Sequence, residues 1–272
     1  MSQNEIILII RRTKDYWLKG EYRKGVNLNP CLSDFFDKWN TEFKMDIVSY
    51  RNRLRDIAAR RYLSSKFDKI FLHSGKDTTA LKGGISKEEF KLYKNSIFVP
   101  IDEDDWIDAS LADEIRNVDT DKPFIIWDWY CTGYRPEYTH PKTQYSKFQS
   151  CAWACRGYEH LTMARNNLRV NHAKGCDCLN NPPTDYIHFI NKKLVAKIDH
   201  PGSVGQLRKI AKTYRDSDKE WMEAVVKSII YYIKRDLEWK HLYIEEWNDY
   251  KALLKELLSS YKYLTDEYKE LL

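Results

Sequence analysis

The first hundred positions of this chain alternate between strand-like and helix-like patterns of apolar residues. Segments rich in β-branched and aromatic side chains cover residues 6–10, 67–73 and 96–101. Between the first two, residues 34–44 and 50–63 repeat their apolar side chains at helical spacing. Strands that alternate with helices in this way predict an α/β domain with a central sheet.

The later part of the chain continues the pattern and then becomes helical. In chain order, the predictions are a helix at residues 107–117, a strand at 123–130, an apolar run at 150–155, a helix starting at 157, a hairpin with strands at 186–190 and 194–198, and two long amphipathic helices after 217. We therefore expect one α/β domain over residues 1–210. A helical C-terminal region, residues 211–272, would pack on it.

The strand predicted at residues 96–101 ends in a dense group of carboxylates. Four acidic residues fill the next four positions, Asp102, Glu103, Asp104 and Asp105. Carboxylates this close repel one another, so either water or a hard cation that prefers oxygen ligands must lie among them. In open α/β sheets, the carboxyl ends of strands face the crevice where ligands bind. The alternative is an acidic first turn of a helix that starts near Trp106, where negative charge suits the helix dipole.

Two arginines follow the first predicted strand. Arg11 and Arg12 would emerge at its carboxyl end, where the phosphates of a ligand lie in an open α/β fold. A guanidinium group also matches the geometry of a phosphate. The pair therefore predicts a phosphate-binding position, with solvated surface as the alternative.

Composition and charge indicate the cellular setting more than the activity. The chain has 272 residues and a net charge of +5, from 45 basic and 40 acidic side chains, which permits a phosphate-rich partner without requiring one. No apolar run has the length of a bilayer span, and the N-terminus lacks the layout of a signal peptide. The six cysteines are clustered unevenly, unlike a secreted disulfide framework. We expect a cytoplasmic protein that does not insert into membranes.

Part of the cysteine content could serve a structural zinc site. The candidate ligands are Cys151, Cys155, His172, Cys176 and Cys178, in two short clusters. Buried thiols in an apolar run are the alternative for the first pair. A zinc deaminase would need a His-x-Glu element with a Pro-Cys-x-x-Cys element, and the sequence has neither.

Several common enzyme classes lack their motifs in this sequence. There is no Gly-x-Ser-x-Gly element of a hydrolase, no Gly-x-x-x-x-Gly-Lys-Ser/Thr loop and no Gly-x-Gly-x-x-Gly loop. A P-loop kinase and a dinucleotide-dependent dehydrogenase are therefore set aside.

The segment Phe-Val-Pro-Ile-Asp-Glu-Asp-Asp-Trp, residues 98–106, resembles the Asp-x-Asp-Asp-Trp variant of GT-A glycosyltransferases, which many bacterial and viral members carry. The order of predicted elements over roughly the first two hundred residues also resembles the donor half of that fold. The resemblance implies a GT-A-like, Rossmann-type mixed sheet flanked by helices. It further implies metal-dependent transfer of a hexosyl or pentosyl group from a nucleotide-diphosphate sugar to an acceptor hydroxyl, in the host cytoplasm if the protein is viral.

The same resemblance suggests roles for the acidic and basic residues. Asp102 and Asp104 would bind Mg²⁺ or Mn²⁺ and the donor, Asp105 would contact the sugar, and Arg11 and Arg12 would bind the donor phosphates. The metal would bridge the diphosphate and neutralise the charge that grows on it as the glycosidic bond breaks.

Two later segments extend the resemblance. Residues 157–160, Gly-Tyr-Glu-His, resemble the Gly-x-Glu-Asp element that carries the general base of inverting members; because His160 replaces its second acid, only Glu159 carries over. Residues 199–203 resemble the later histidine segment of the metal site, which makes His200 a third metal ligand.

The acceptor and two competing functions stay open at this point. The acceptor would be a glycan, or a modified base in DNA if the basic residues clustered after position 190 bind phosphates, namely Lys192, Lys193, Lys197, Arg208, Lys209, Lys212 and Arg215. A nuclease could hold two metals with Asp102, Asp104 and Glu159. A non-enzymatic nucleic-acid-binding protein would use the basic helix at residues 50–63 and the aromatic C-terminal region.

Overall fold

The computed structural model describes residues 4–11, 31–72, 92–131, 151–157, 159–161, 184–203, 206, 210, 213 and 218–272. The chain forms two compact units, each assembled from separate segments. The first unit consists of Met1–Thr13, Ala59–Tyr130 and Thr139–Lys197, and the second of Lys14–Ala58, Cys131–Tyr138 and Ile198–Leu272. The predicted division at residue 210 stays a prediction.

The first unit is built on a mixed sheet, which confirms the expected α/β class. Its strands within the described residues are β1 (Ile6–Arg11), β2 (Lys69–Leu72), β3 (Ile97–Asp102), β4 (Trp106–Ile107), β5 (Phe124–Cys131), β6 (Trp153–Arg156) and β7 (Ile187–Lys197). Their order across the sheet is β2-β1-β3-β6-β5-β7-β4. Residues 6–9 of β1 are fully buried, because strands flank β1 on both sides and both of its faces are covered.

Strand directions decide which ends meet at each edge of the sheet. β1 runs parallel to β2 and β3, and β6 runs antiparallel to both β3 and β5. β5 therefore runs in the same direction as β3. The ammonium group of Lys122 donates to the carbonyl of Ile187, and Lys193 lies over the ring of Tyr130, so β7 runs in the same direction as β5. The carboxyl ends of these parallel strands share one edge.

The pairing register brings particular residues to this edge. Arg11 of β1 pairs with Asp102 of β3. Phe98 and Phe124 both pair with Cys155 of β6. Asp102 lies four residues after Phe98 on β3, and Asp128 lies four residues after Phe124 on β5. The two aspartates are therefore at the same level, that is, the same height along the strand direction.

The short link between β3 and β4 forces the sheet to curl. In a flat sheet of this order, β4 would lie four strand spacings from β3, about 19 Å away. The chain from Asp102 to Trp106 reaches at most roughly 14 Å even when extended. Here it is shorter, because Asp102 and Asp105 close a hydrogen-bonded turn. β4 pairs with the end of β7, Trp106 opposite Ala196, so this end of the sheet folds back toward β3.

Two sequence predictions for this unit were wrong. Trp106 and Ile107 form β4, and the helix α3 (Leu111–Arg116) begins only after a turn at Asp108 and Ser110. The carboxylates of the preceding loop therefore do not form the first turn of a helix near Trp106. The predicted hairpin is one continuous strand, β7, because residues 191–193 contain no glycine to form a tight turn and stay extended with exposed side chains.

The second unit is helical in the part that the structure describes. It contains α1 (Cys31–Glu42), the first turns of α2 (Ile47–Ser64), α4 (Asp218–Lys234), α5 (Ile244–Ser259) and α6 (Asp266–Lys269). The two predicted C-terminal helices are confirmed as α4 and α5, which pack through the rings of Tyr232 and Tyr250. Helix α1 starts at Cys31, three residues before the helical segment predicted at residues 34–44. Among the described residues, no helix is long and apolar enough to cross a membrane.

The predicted helix at residues 50–63 is confirmed as α2, but the sequence prediction missed the residue that caps its start. It begins earlier, at Ile47, because Asp46 accepts hydrogen bonds from the backbone N–H groups of Val48 and Ser49, each at 2.9 Å. Its predicted apolar face is buried, with Leu54, Ile57, Ala58 and Tyr62 all in the core.

We expect Gly157→Ala to lower the free energy of unfolding by about 1–2 kcal/mol. Gly157 has φ of +72°, and an added Cβ would lie 2.9 Å from the carbonyl oxygen of Lys94. Urea unfolding would measure the change. Glu159→Ala is the control, since this exposed side chain lies two residues away. Equal stability of Gly157→Ala and wild type would contradict the prediction.

Candidate functional site

The four acidic residues form a tight loop between β3 and β4, called here the carboxylate loop (residues 102–105). The N–H of Asp105 donates to the carbonyl of Asp102 at 3.2 Å. Glu103 and Asp105 are buried, at 5% and 1% exposure, whereas Asp102 and Asp104 are half-buried. The two members of the Asp-x-Asp pair are thus the carboxylates that a ligand can reach.

A buried tyrosine holds the carboxylate loop in place. The hydroxyl of Tyr62, on the last turns of α2, contacts the carbonyl oxygen of Asp102 at 3.0 Å and that of Asp105 at hydrogen-bond distance. Tyr62 is 1% exposed. Both partners are carbonyl oxygens, so the phenol is the donor, and its single O–H proton is shared between the two ends of the loop.

The surroundings of Tyr62 keep its hydroxyl protonated. Burial raises the pKa of Tyr62 well above its usual value of 10.0, and the nearby carboxylates, Asp105 first, raise it further. A phenolate here would add a negative charge next to four acidic side chains. The hydroxyl therefore remains a hydrogen-bond donor throughout the physiological pH range.

Arg11 meets the carboxylate loop through the backbone. Its pairing with Asp102 confirms that the first strand delivers it to the edge where the carboxylates lie. The side chain of Arg11 and the whole of Arg12 lie outside the described residues, so their contacts with a donor stay predictions.

A second group at this edge was missed from the sequence. This group lies near the end of β5. It consists of Asp128, at the same height in the sheet as Asp102, and the next two residues, Trp129 and Tyr130, and all three are half-buried. The ammonium of Lys193 lies 4.6 Å from the ring centroid of Tyr130. The available signal was a buried strand, β5, that ends in polar and aromatic residues, as β3 ends in carboxylates.

Glu159 lies in a different place from the one its predicted role requires. Arg156, near the end of β6, pairs with Ile97 at the amino end of β3. Five residues of strand, about 17 Å, separate Ile97 from Asp102. Because β6 is antiparallel to β3, the segment with Glu159 leaves the sheet at the opposite edge, and its side chain is exposed. The register thus does not bring Glu159 to the carboxylate loop, and its role as a base stays a prediction.

His200 belongs to the second unit, in a packed turn. It is fully buried, and its ring centroid lies 5.6 Å from that of Tyr50. The N–H of Ser203 donates to the carbonyl of His200, and the guanidinium of Arg51 donates to the carbonyl of Gly202, both at 2.9 Å. These contacts position the turn within its own unit. Metal binding by His200 stays a prediction.

The zinc candidates are only partly described. Cys151 and Cys155 are buried, and Cys155 lies in a hydrophobic cluster with Phe98 and Phe124. Burial raises the pKa of the Cys155 thiol well above its usual value, which disfavours the thiolate that binds zinc. Residues 172–178, with the other three candidate ligands, lie outside the described residues, so the zinc site stays a prediction.

The carboxylate loop fits a metal that binds together with a phosphate ligand. Within the described ranges, no three His, Cys, Asp or Glu side chains are grouped to hold a metal by themselves. Asp102 and Asp104 offer two accessible carboxylates. Mg²⁺ is commonly bound in this way, by one or two carboxylates together with water and substrate phosphates. The donor set therefore suits a metal–diphosphate complex.

Comparison with known proteins does not assign a family. No protein-family model matches the chain, and no curated protein matches it in sequence. We therefore base the function on the carboxylate loop and the residues that share its edge of the sheet.

We expect Tyr62→Phe to lower the free energy of unfolding by about 1–3 kcal/mol, because a buried carbonyl loses its donor. The loop should also open more often, so the amide of Asp105 should exchange its hydrogen faster than in the wild type. Urea unfolding and hydrogen exchange would measure the two effects. The control is Tyr186→Phe, at a phenol that is 47% exposed. Unchanged stability and exchange in Tyr62→Phe would refute the role of the hydroxyl.

The raised pKa of Tyr62 also predicts how stability depends on alkaline pH. Below pH 10 the phenol is protonated in both states, so its contribution to stability is fully present. As pH rises above 10, the unfolded chain loses this proton while the folded protein keeps it, and stability falls. The slope should be steeper in the wild type than in Tyr62→Phe by up to about 1.4 kcal/mol per pH unit. Urea unfolding at several alkaline pH values checks this, and equal slopes would contradict it.

Proposed function

We propose that this protein is a metal-dependent glycosyltransferase with a GT-A-like fold. It would move a hexosyl or pentosyl group from a nucleotide-diphosphate sugar to an acceptor hydroxyl. The observation that carries the proposal is the reachable Asp102 and Asp104 pair at the carboxyl ends of parallel strands, with Arg11 paired beside Asp102. That edge is where open α/β sheets bind nucleotides.

Each residue of the site has a distinct task in this mechanism. Asp102 and Asp104 would hold Mg²⁺ or Mn²⁺, which would supply positive charge against the charge that develops on the donor diphosphate. Tyr62 keeps the loop closed, so that the two carboxylates are oriented before the donor arrives. Arg11, whose backbone pairs with that of Asp102, would bind the donor phosphates. Asp105 is buried, and its carbonyl accepts from Tyr62; a direct contact with the sugar stays a prediction.

No observation favours the nuclease alternative. That function needs Asp102, Asp104 and Glu159 around two metals. The register sends Glu159 to the opposite edge of the sheet from the carboxylate loop. The two carboxylates that remain together suit one metal on a diphosphate better than a pair of metals.

The basic residues give little support to a nucleic-acid-binding protein. On α2, Arg51 is buried and donates to the carbonyl of Gly202, and Arg53 pairs with Glu256. On β7, the ammonium of Lys192 lies 2.6 Å from Glu114. Arg208, Lys209, Lys212 and Arg215 belong to residues outside the described ranges or without described side chains. Three of the basic side chains that suggested a phosphate backbone, Arg51, Arg53 and Lys192, are therefore engaged within the protein.

A thermal-shift screen of nucleotide diphosphates and nucleotide sugars, with and without Mn²⁺, tests the proposed function. One nucleotide should raise the melting temperature only when Mn²⁺ is present, with a stabilisation of about 2.7 kcal/mol at a 100-fold excess over Kd. Asp102→Asn combined with Asp104→Asn should abolish this response, because the metal loses both carboxylates. Asp119→Asn, at an exposed carboxylate of the same unit, is the control and should respond like the wild type.

Two results would contradict the proposed function. One is the absence of any Mn²⁺-dependent response in the wild type. The other is an equal response in the double variant, which would place the nucleotide away from the carboxylate loop. Stabilisation by polynucleotide alone would favour the binding-protein alternative.

A further inference from the structure

The carboxyl end of β5 marks a second place where the interior of the first unit meets the surface. Residues 124–127 of this strand are buried, between 0% and 6% exposed. Asp128, Trp129 and Tyr130 follow directly and are half-buried. Because side chains alternate between the two faces of a strand, Asp128 and Tyr130 share one face, which can present a carboxylate and an aromatic ring to a ligand.

The sheet register places this strand end beside the carboxylate loop. Asp128 and Asp102 reach the same level on β5 and β3, two strand spacings apart, which is about 10 Å. That separation leaves room for the transferred sugar between a donor held at Asp102 and an acceptor held at Asp128.

The curl of the sheet also brings β4 and β7 toward this region. The carboxylate loop leads directly into β4, which pairs with the end of β7. On β7, Lys193 contacts the ring of Tyr130. Lys193 of β7 therefore lies next to the end of β5, and all of these residues belong to the first unit.

The chemistry of the strand end fits a carbohydrate. One carboxylate oxygen of Asp128 accepts from the N–H of Trp129 at 2.9 Å. A carboxylate has about four acceptor positions, so Asp128 can also accept from ligand hydroxyls. The half-buried ring of Tyr130, on the same face as Asp128, offers apolar area with a polar tip, which matches a sugar's C–H face and its hydroxyl rim.

The carboxylates near the end of β5 favour a glycan over DNA as the acceptor. Asp102, Asp104 and Asp128 share one edge, and a polyphosphate backbone there would face three carboxylates. A neutral sugar instead can donate a hydroxyl hydrogen bond to Asp128 without this repulsion. We propose that Asp128 and Tyr130 form the acceptor subsite and that it binds a neutral carbohydrate; its role as an acceptor site rests on the proposed function.

Saturation-transfer NMR on the full chain, with a panel of neutral methyl glycosides and no donor, tests the subsite directly. At least one glycoside should bind the wild type. Tyr130→Ala should weaken binding at least tenfold, because it removes the ring, whereas Trp129→Ala, on the opposite face of β5, should bind within twofold of the wild type. Asp128→Asn is the variant that keeps side-chain shape and the fold, and it should weaken binding at least fivefold. Tyr186→Ala, at an exposed ring near the start of β7, should bind within twofold of the wild type.

The double variant Asp102→Asn with Asp104→Asn separates this inference from the proposed function. It should keep glycoside binding within twofold while it loses the Mn²⁺-dependent nucleotide response. Glycoside binding in a protein with no nucleotide response would refute the glycosyltransferase and leave the sugar site intact. A nucleotide response without glycoside binding, unchanged binding in Asp128→Asn, or displacement of the glycoside by single-stranded DNA would overturn the subsite.

Discussion

The hydroxyl of Tyr62 is the contact on which the proposed site depends. It is buried, and it bonds the carbonyl oxygens at both ends of the carboxylate loop. Four neighbouring carboxylates would otherwise spread apart, because like charges at short range repel one another. A neutral donor can hold such a loop through its backbone without adding charge. The environment that raises the pKa of Tyr62 also keeps it in this neutral form.

The same tight loop shapes the sheet around it. Since only three residues separate β3 from β4, and β4 must pair with β7, the far end of the sheet returns toward β3. β4 and the end of β7 are thereby brought back toward the carboxylate loop. The proposed acceptor subsite at Asp128 lies near Asp102 for another reason, because β3 and β5 both pair with β6 in register. A transferase needs both of its ligands within bonding distance of each other.

Local sequence patterns predicted the helices and strands themselves better than the way in which the strands pair. Two predictions are confirmed, the central strand at residues 6–10 and the helix at residues 50–63. In both segments, the order of apolar and polar residues along the chain already indicates which side chains are buried. The predicted hairpin at residues 186–198 failed because exposed polar residues in the middle of a long strand look like a turn when the partner strands are unknown. Trp106 and Ile107 looked helical for a similar reason: their pairing with β7 is not a local property.

The sequence by itself determined the α/β class, the buried strands and the position of the carboxylate loop at a strand's carboxyl end, because composition and periodicity are local. It also indicated the Asp-x-Asp pair. Only the tertiary structure decided which distant residues join that pair. Strand direction and register turn Glu159 away from Asp102 and bring Asp128 to its level, and neither depends on the residues near those positions. The bond from Tyr62 likewise spans forty positions of sequence, which no local pattern encodes.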